Sequence, residues 1–115
     1  MLPDETDFGR ALADRWLHEA VQRLRAALKP ELILLFGSRA RGTESRRSDV
    51  DLLVVWNTDA PPLERIGQVL GLLADSPWPV DVIAYTPADL QARRHSPFLR
   101  RALEEGKILY ERRAA

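Results

Sequence analysis

The sequence predicts an α/β fold in which a small mixed sheet of three core strands is flanked by helices. Short apolar runs rich in Leu, Val and Ile alternate with longer segments whose apolar residues recur at helical spacing, which is typical of a sheet covered by helices. Prolines and glycines stand where these segments begin or end. A chain of 115 residues fits one domain, which we expect to span residues 1–115.

Helical periodicity and capping residues predict four helices. Residues 8–28 show apolar spacing of three and four and end before Pro30. Prolines or N-cap residues open the later helices, at Pro61-Pro62, Thr86-Pro87 and Ser96-Pro97. Gly106 is expected to end the last helix.

Three apolar runs are predicted as strands: Leu32–Phe36, Asp51–Trp56 and Val80–Tyr85. The twelve residues from Gly37 to Ser48 are near the lower limit for a parallel crossover, and they fit an antiparallel first pair at least as well. The second and third strands are separated by a helix and can be parallel. Lys107–Glu111 is a candidate edge strand.

Residues that could bind a ligand or take part in catalysis stand at the ends of these strands. Gly37-Ser38 follows the first strand, Asp49 and Asp51 begin the second, and Asp81 lies near the start of the third. In the antiparallel arrangement all of them meet at one end of the sheet. Asp49 and Asp51 are two apart in an extended segment, so their side chains point to the same face.

Three carboxylates beside apolar strands repel one another unless a cation neutralises them. Hard oxygen ligands of this kind suit Mg²⁺ or Mn²⁺, which complete their shells with water and phosphate oxygens. The Gly37-Ser38 turn offers backbone N–H groups and a hydroxyl with little bulk, which suits a phosphate. The combination predicts two-metal phosphoryl or nucleotidyl transfer, in which the ions lie roughly 3.5–4 Å apart.

The stretch GSRARGTESRRSDVDLLVV resembles the signature of the DNA polymerase β-like nucleotidyltransferase superfamily. That signature is Gly-Ser, ten residues, Asp-x-Asp and a third Asp on a later strand. This sequence matches it without a gap, with Gly37-Ser38, the ten residues from Arg39 to Ser48, Asp49-Val50-Asp51 and, as the third aspartate, Asp81. The short length and the ending SPFLRRALEEGKILYER resemble the minimal nucleotidyltransferase (MNT) branch. Its members are often encoded beside a HEPN-domain protein as toxin–antitoxin pairs. The resemblance covers roughly residues 10–111.

The resemblance implies the polymerase β-like fold and a role for each matching residue. Asp49, Asp51 and Asp81 would be catalytic and would ligate the metal ions, with Asp81 helping to deprotonate the acceptor hydroxyl. Gly37 and Ser38 would bind the nucleotide, Ser38 at the terminal phosphates. Arg39 and Arg41 are expected to steady phosphate, although the family pattern does not fix that role.

Composition excludes several other classes. There is no cysteine, which removes disulfides, thiolate metal sites and cysteine nucleophiles. No Gly-rich motif of the Walker A or Rossmann type is present. The net charge is zero, so a nucleic acid is not expected as a direct partner, although arginines crowd two segments, at positions 39, 41, 46 and 47 and at 93, 94, 100 and 101. No signal peptide or apolar span indicates a membrane, so we expect a cytoplasmic protein.

Two functional hypotheses follow. The first is an enzyme that transfers AMP from ATP to a hydroxyl acceptor, a tyrosine of a partner HEPN-domain toxin. The second is a non-catalytic antitoxin that neutralises a HEPN ribonuclease by contact. Retention of all three aspartates favours the enzyme, because unpaired carboxylates near a core cost stability. The expected partner surface is Phe98, Leu99, Arg100 and Arg101, and a homo-oligomer remains open.

Overall fold

The computed structural model describes residues 5–44 and 48–112, with the side chains of residues 5–10 left out. The elements in chain order are α1 (Glu5–Leu28), β1 (Leu32–Phe36), α2 (Ser38–Arg41), β2 (Val50–Val55), α3 (Pro62–Leu72), β3 (Val80–Tyr85), α4 (Pro87–Ala92), α5 (Pro97–Glu105) and β4 (Lys107–Glu111). Arg46 and Arg47 of the arginine-rich loop lie outside the described residues. None of the described helices is both long and apolar enough to span a bilayer.

The sheet has four strands in the order β3-β2-β1-β4. β1 and β2 pair antiparallel, which decides between the two arrangements that the Gly37–Ser48 connection allowed. β2 and β3 are parallel, as the intervening helix suggested. The candidate edge strand is confirmed as β4, antiparallel to β1 with an irregularity in the pairing, so the three predicted strands form part of a four-stranded sheet.

Both faces of the sheet are covered, which explains why its strands are almost wholly apolar. On one face, α1 and α3 pack against alternate strand residues, with Trp16, Leu24, Leu52 and Val69 in the same buried cluster. On the opposite face, α5 buries Leu99 and Ala102 against the strand residues that point the other way, such as Leu34 and Leu53. The aspartates therefore project from a sheet that packing holds rigid on both sides.

The predicted helix caps are confirmed where α4 and α5 begin. The Thr86 hydroxyl accepts from the Asp89 N–H, and the Asp89 carboxylate accepts from the Thr86 N–H, at 3.1 and 3.0 Å. These hydrogen bonds, with the Arg65 guanidinium 2.9 Å away, hold the pKa of Asp89 below its usual range. Ser96 caps α5 by accepting from the Leu99 N–H at 3.4 Å. The caps fix the residue at which each helix begins.

The expected partner surface needs one correction. Leu99 is only 1% exposed and belongs to the buried cluster beneath α5, so its inclusion in a docking surface was wrong. Its neighbour Phe98 is 50% exposed. Residues next to each other on a helix point about 100° apart, so Leu99 is buried against the sheet while the half-exposed Phe98 packs edge-on against Phe36, with the ring centroids 5.7 Å apart. Arg100 and Arg101 are also exposed.

Candidate active site

The sheet register brings the chemistry-bearing residues of three strands to one end of the sheet. Phe36 is directly opposite Asp51 on the β1–β2 pair, and Asp51 is beside Asp81 on the β2–β3 pair. Gly37 follows Phe36 at once, so the glycine turn and the carboxylates are neighbours. Val50, the first residue of β2, lies between Asp49 and Asp51 and is fully buried beneath α1 and α3. Alternation along the strand therefore turns Asp51 to the α5 face.

The carboxylates of Asp49, Asp51 and Asp81 form a cluster whose potential ligand atoms all lie within 4.8 Å of one another. Asp49 and Asp81 are exposed, whereas Asp51 is partly buried. Burial, followed by the charges of Asp81 and Asp49, raises the pKa of Asp51, while Arg41 and Arg39 oppose this rise. A cation held by the cluster would favour the ionised form of Asp51 against both effects.

Gly37 is required by both backbone conformation and space. Its φ of 76° and ψ of −159° lie in a region that is essentially restricted to glycine. A Cβ at this position would collide with Oδ2 of Asp51 and would lie 3.1 Å from its Cγ. The absence of a side chain therefore lets the backbone of the turn lie directly against the Asp51 carboxylate.

Ser38 is the first residue of the short helix α2, beside this carboxylate cluster. The Gly37 carbonyl accepts from the N–H groups of Ala40 and Arg41 at 3.1 and 3.2 Å, and the Ser38 carbonyl accepts from the Thr43 N–H at 3.0 Å. The first N–H groups of a helix have no acceptor inside that helix. These hydrogen bonds hold the turn closed, and they leave the Ser38 and Arg39 N–H groups at the start of α2 without an acceptor inside the helix.

The two arginines of α2 lie on opposite flanks of the turn. Arg39 donates from Nε and Nη2 to the Ser48 carbonyl at 3.1 and 2.8 Å, and its guanidinium lies 5.0 Å from the centroid of the Trp78 ring. Arg41 reaches the other way, where Nη1 lies 3.6 Å from Oε2 of Glu105. Arg39 thereby ties α2 to the residue that precedes Asp49.

Sequence reasoning did not identify two of these contact residues, Trp78 and Glu105. Trp78 packs edge-on against Trp16, with the ring centroids 6.1 Å apart, and it also contacts the Arg39 guanidinium. Glu105 stands in a charged helical segment with nothing to distinguish it from Glu104. Both contacts join residues far apart in sequence, so no local pattern could have indicated them.

The arrangement fits divalent cations and a polyphosphate. Three clustered carboxylates without nitrogen or sulfur ligands match the preference of Mg²⁺ and Mn²⁺. The pKa of Asp51 is raised first by burial and then by the charges of Asp81 and Asp49, and the backbone of Gly37 lies directly against the Asp51 carboxylate. Divalent cations would offset the repulsion within the cluster, and phosphates bound to them would lie beside the turn.

The chain belongs to the polymerase β nucleotidyltransferase family, whose model matches residues 19–115. With the site described above, this defines a protein of the nucleotidyltransferase class, of the MNT type. A relative from Methanocaldococcus jannaschii, "Putative protein adenylyltransferase MJ0604", is 29% identical over 99 residues, covering 84% of this chain and 97% of that protein.

Solved structures support the same assignment. A "putative nucleotidyltransferase" from Sulfolobus solfataricus superposes with a TM-score of 0.70 at 19% identity, covering 96% of this chain and 91% of that one; this likeness concerns the fold. A mutant form of the toxin–antitoxin MntA-HpeT gives a TM-score of 0.61 at 26% identity over 83% of this chain and 72% of that one. The chain thus has the polymerase β-like fold that its motif implied.

In the absence of metal, the charge of Asp51 should destabilise the folded state. Because its pKa is raised in the folded state, its protonated form favours folding, and this contribution is lost as pH rises through the folded pKa. We therefore expect Asp51→Asn to be more stable than wild type at neutral pH in EDTA. The advantage should shrink as pH falls through the pKa of Asp51.

Thermal melts of both proteins from neutral to mildly acidic pH measure this difference. Taking the difference between the two proteins removes the opposite pH dependence of Asp75 and Asp89, whose pKa values are lowered. A stability difference that does not vary with pH would contradict the electrostatic account.

Proposed function

We propose that this protein transfers AMP from ATP to a hydroxyl group of a partner protein, with divalent metal ions held by Asp49, Asp51 and Asp81. The observation that carries the proposal is the cluster of three carboxylates within 4.8 Å directly beside the Gly37 turn. ATP is the expected donor because the relative from M. jannaschii is named as a protein adenylyltransferase.

Each residue has a role that its position supports. Asp49 and Asp51 would ligate both metal ions, and Asp81 one of them. Mg²⁺ or Mn²⁺ would supply charge stabilisation at the phosphate oxygens when bound. Ser38 would donate to the terminal phosphates from the start of α2. Arg41 would neutralise phosphate charge. Arg39 would also contact phosphate only if its hydrogen bonds to the Ser48 carbonyl were broken.

The transfer is a substitution at the α-phosphorus of ATP. The acceptor oxygen forms a bond to that phosphorus, the bond from it to the oxygen bridging the α- and β-phosphates breaks, and pyrophosphate leaves. The hydroxyl proton passes to Asp81, which lies on the side of the cluster away from the Gly37 turn. Across the sheet, Asp51 on β2 lies between the Gly37 turn that follows β1 and Asp81 on β3. This order is consistent with the leaving pyrophosphate on the Gly37 side of the carboxylate cluster and the acceptor hydroxyl on the Asp81 side.

The acceptor side of the cluster is open enough for a macromolecule. Asp81 is exposed and lies on β3, an edge strand of the sheet, so a hydroxyl on another polypeptide can approach it. The likeness to a toxin–antitoxin protein favours a toxin as the partner, and the MNT resemblance favours a tyrosine of a HEPN-domain protein. Exposed Phe98, Arg100 and Arg101 on α5 are the proposed docking residues.

Intact mass spectrometry tests this proposal directly. We expect incubation with ATP, Mg²⁺ and the product of the neighbouring gene to add one or more adenylate masses to the partner. EDTA should abolish the gain, because the carboxylates would then repel the triphosphate. A stable complex with no change in mass would instead support the alternative, a non-catalytic antitoxin that neutralises the toxin by contact.

A further inference from the structure

The carboxylate of Glu105 is shared by two guanidinium groups on different elements. Its Oε2 lies 3.6 Å from Nη1 of Arg41 on α2, and its Oε1 accepts from Nε of Arg101 on α5 at 3.2 Å. Glu105 is the last residue of α5. It therefore links the C-terminal end of that helix to the helix that begins at the Gly37 turn.

The backbone beside Glu105 is closely packed against the sheet. The Gly106 N–H donates to the Ala102 carbonyl at 2.7 Å. A Cβ on Gly106 would collide with that carbonyl oxygen and would lie 3.0 Å from Cδ1 of Leu34 on β1. The next residue, Lys107, is already paired with Leu35. The main chain that carries Glu105 is thus fixed relative to β1 and the active-site end of the sheet.

Arg41 interacts with carboxylates on two sides. Besides its pairing with Glu105, its charge lowers the pKa of Asp51 against the effect of burial. It also lines a cavity of about 340 Å³ whose wall includes Gly37, Phe36, Phe98 and Glu105. Arg41 thus lines the cavity beside Gly37 and is close enough to Asp51 for its charge to act on that carboxylate.

From this geometry we propose that Glu105 is a positioning residue, which holds the Arg41 guanidinium where it can contact the leaving pyrophosphate. The inference rests on the proposed function, in which Arg41 binds phosphate. The Arg41 side chain is 43% exposed, and a free arginine there would sample many rotamers. A carboxylate on a fixed backbone reduces that freedom before the ligand arrives, so less entropy is lost on binding.

A competing role for Glu105 would have the opposite consequence. If its carboxylate merely occupied Arg41 and had to be displaced, removing its charge would strengthen phosphate binding. If it orients Arg41, removing its charge weakens binding, and it does so only while Arg41 is present. The sign of the effect and its dependence on Arg41 therefore separate the two roles.

The test is a double-mutant cycle measured by calorimetry with Mg²⁺ and inorganic pyrophosphate, on the full chain. We expect Glu105→Gln to weaken pyrophosphate binding about fivefold, and Arg41→Ala to weaken it more. The double variant should bind no more weakly than Arg41→Ala alone, because the two residues act as a unit. Glu105→Asp should recover part of the loss. AMP, which lacks the terminal phosphates, should bind all four proteins of the cycle equally.

Glu104→Gln is the matched control, because Glu104 is the exposed neighbour of Glu105 on the same helix and should change nothing. Thermal melts establish that each variant folds. Stronger binding by Glu105→Gln, additive effects in the cycle, or equal effects of the two glutamine substitutions would overturn the inference.

The cycle also separates this inference from the proposed function. A wild-type protein that transfers AMP but shows an additive cycle overturns only the positioning role. A non-additive cycle in a protein that transfers nothing supports the positioning role and contradicts the transferase. A wild-type protein that binds neither pyrophosphate nor ATP in the presence of Mg²⁺ overturns both.

Discussion

Asp49→Asn is expected to lower AMP transfer by on the order of 10²-fold or more. Metal ions contribute several kcal/mol of transition-state stabilisation in reactions of this type, and each 1.36 kcal/mol corresponds to about a factor of ten in rate. Asp49 is exposed, so an amide of the same size changes no core packing. The substitution would remove one negative charge from the cluster and one of the proposed metal ligands.

The rate of adenylate transfer to the partner, followed by mass at saturating ATP, measures this effect. Asp59→Asn is a matched control, since Asp59 is also an exposed aspartate but lies at the opposite end of β2. We expect the melting temperature of Asp49→Asn in EDTA to equal or slightly exceed that of wild type, because like-charge repulsion is reduced. Near-normal transfer by Asp49→Asn would refute the assignment of the metal ligands.

Gly37→Ala should have the second large effect, on both stability and transfer. The backbone conformation at Gly37 costs a residue with a side chain about 1–3 kcal/mol. The new methyl group would also overlap with the Asp51 carboxylate. Either the turn or Asp51 must move, and a displacement of about 1 Å at a reacting centre can cost on the order of 10²-fold in rate.

Gly42→Ala separates backbone strain from the steric clash. Gly42 has the same φ of 76° but a ψ of 17°, and a Cβ there would meet nothing within 4 Å. We expect a modest drop in melting temperature for this variant, with transfer close to normal. Gly37→Ala should lose Mg²⁺-dependent ATP binding as well as stability. Equal losses of transfer in the two variants would show that strain alone is responsible.

Much of this protein was determined by local sequence. Apolar runs of five or six residues define β1 and β3 as predicted, and β2 begins one residue earlier, at Val50. The caps at Thr86 and Ser96 and the end of α5 at Gly106 were also predicted correctly. These features depend on residues close together in the chain, whose hydrogen bonds and side-chain periodicity act over one or two turns.

Periodicity was less informative about what each helix buries. Leu63 is an apolar residue at the start of α3, yet it is 84% exposed. Leu99 was assigned to a docking surface and is buried instead. Which face of an amphipathic helix meets the sheet depends on how the elements are arranged in space, and a marginal pattern in a short helix does not fix it.

The sequence by itself determined that Gly37-Ser38, Asp49, Asp51 and Asp81 would stand at strand ends, because their spacing along the chain is a local property. Only the tertiary structure decided that β1 and β2 run antiparallel, so that the carboxylates meet within 4.8 Å. It also decided that Arg39 binds the Ser48 carbonyl while Arg41 faces Glu105. Strand pairing and side-chain contacts between distant residues depend on the packing of the whole chain, since each side chain takes the partner that the fold brings within reach.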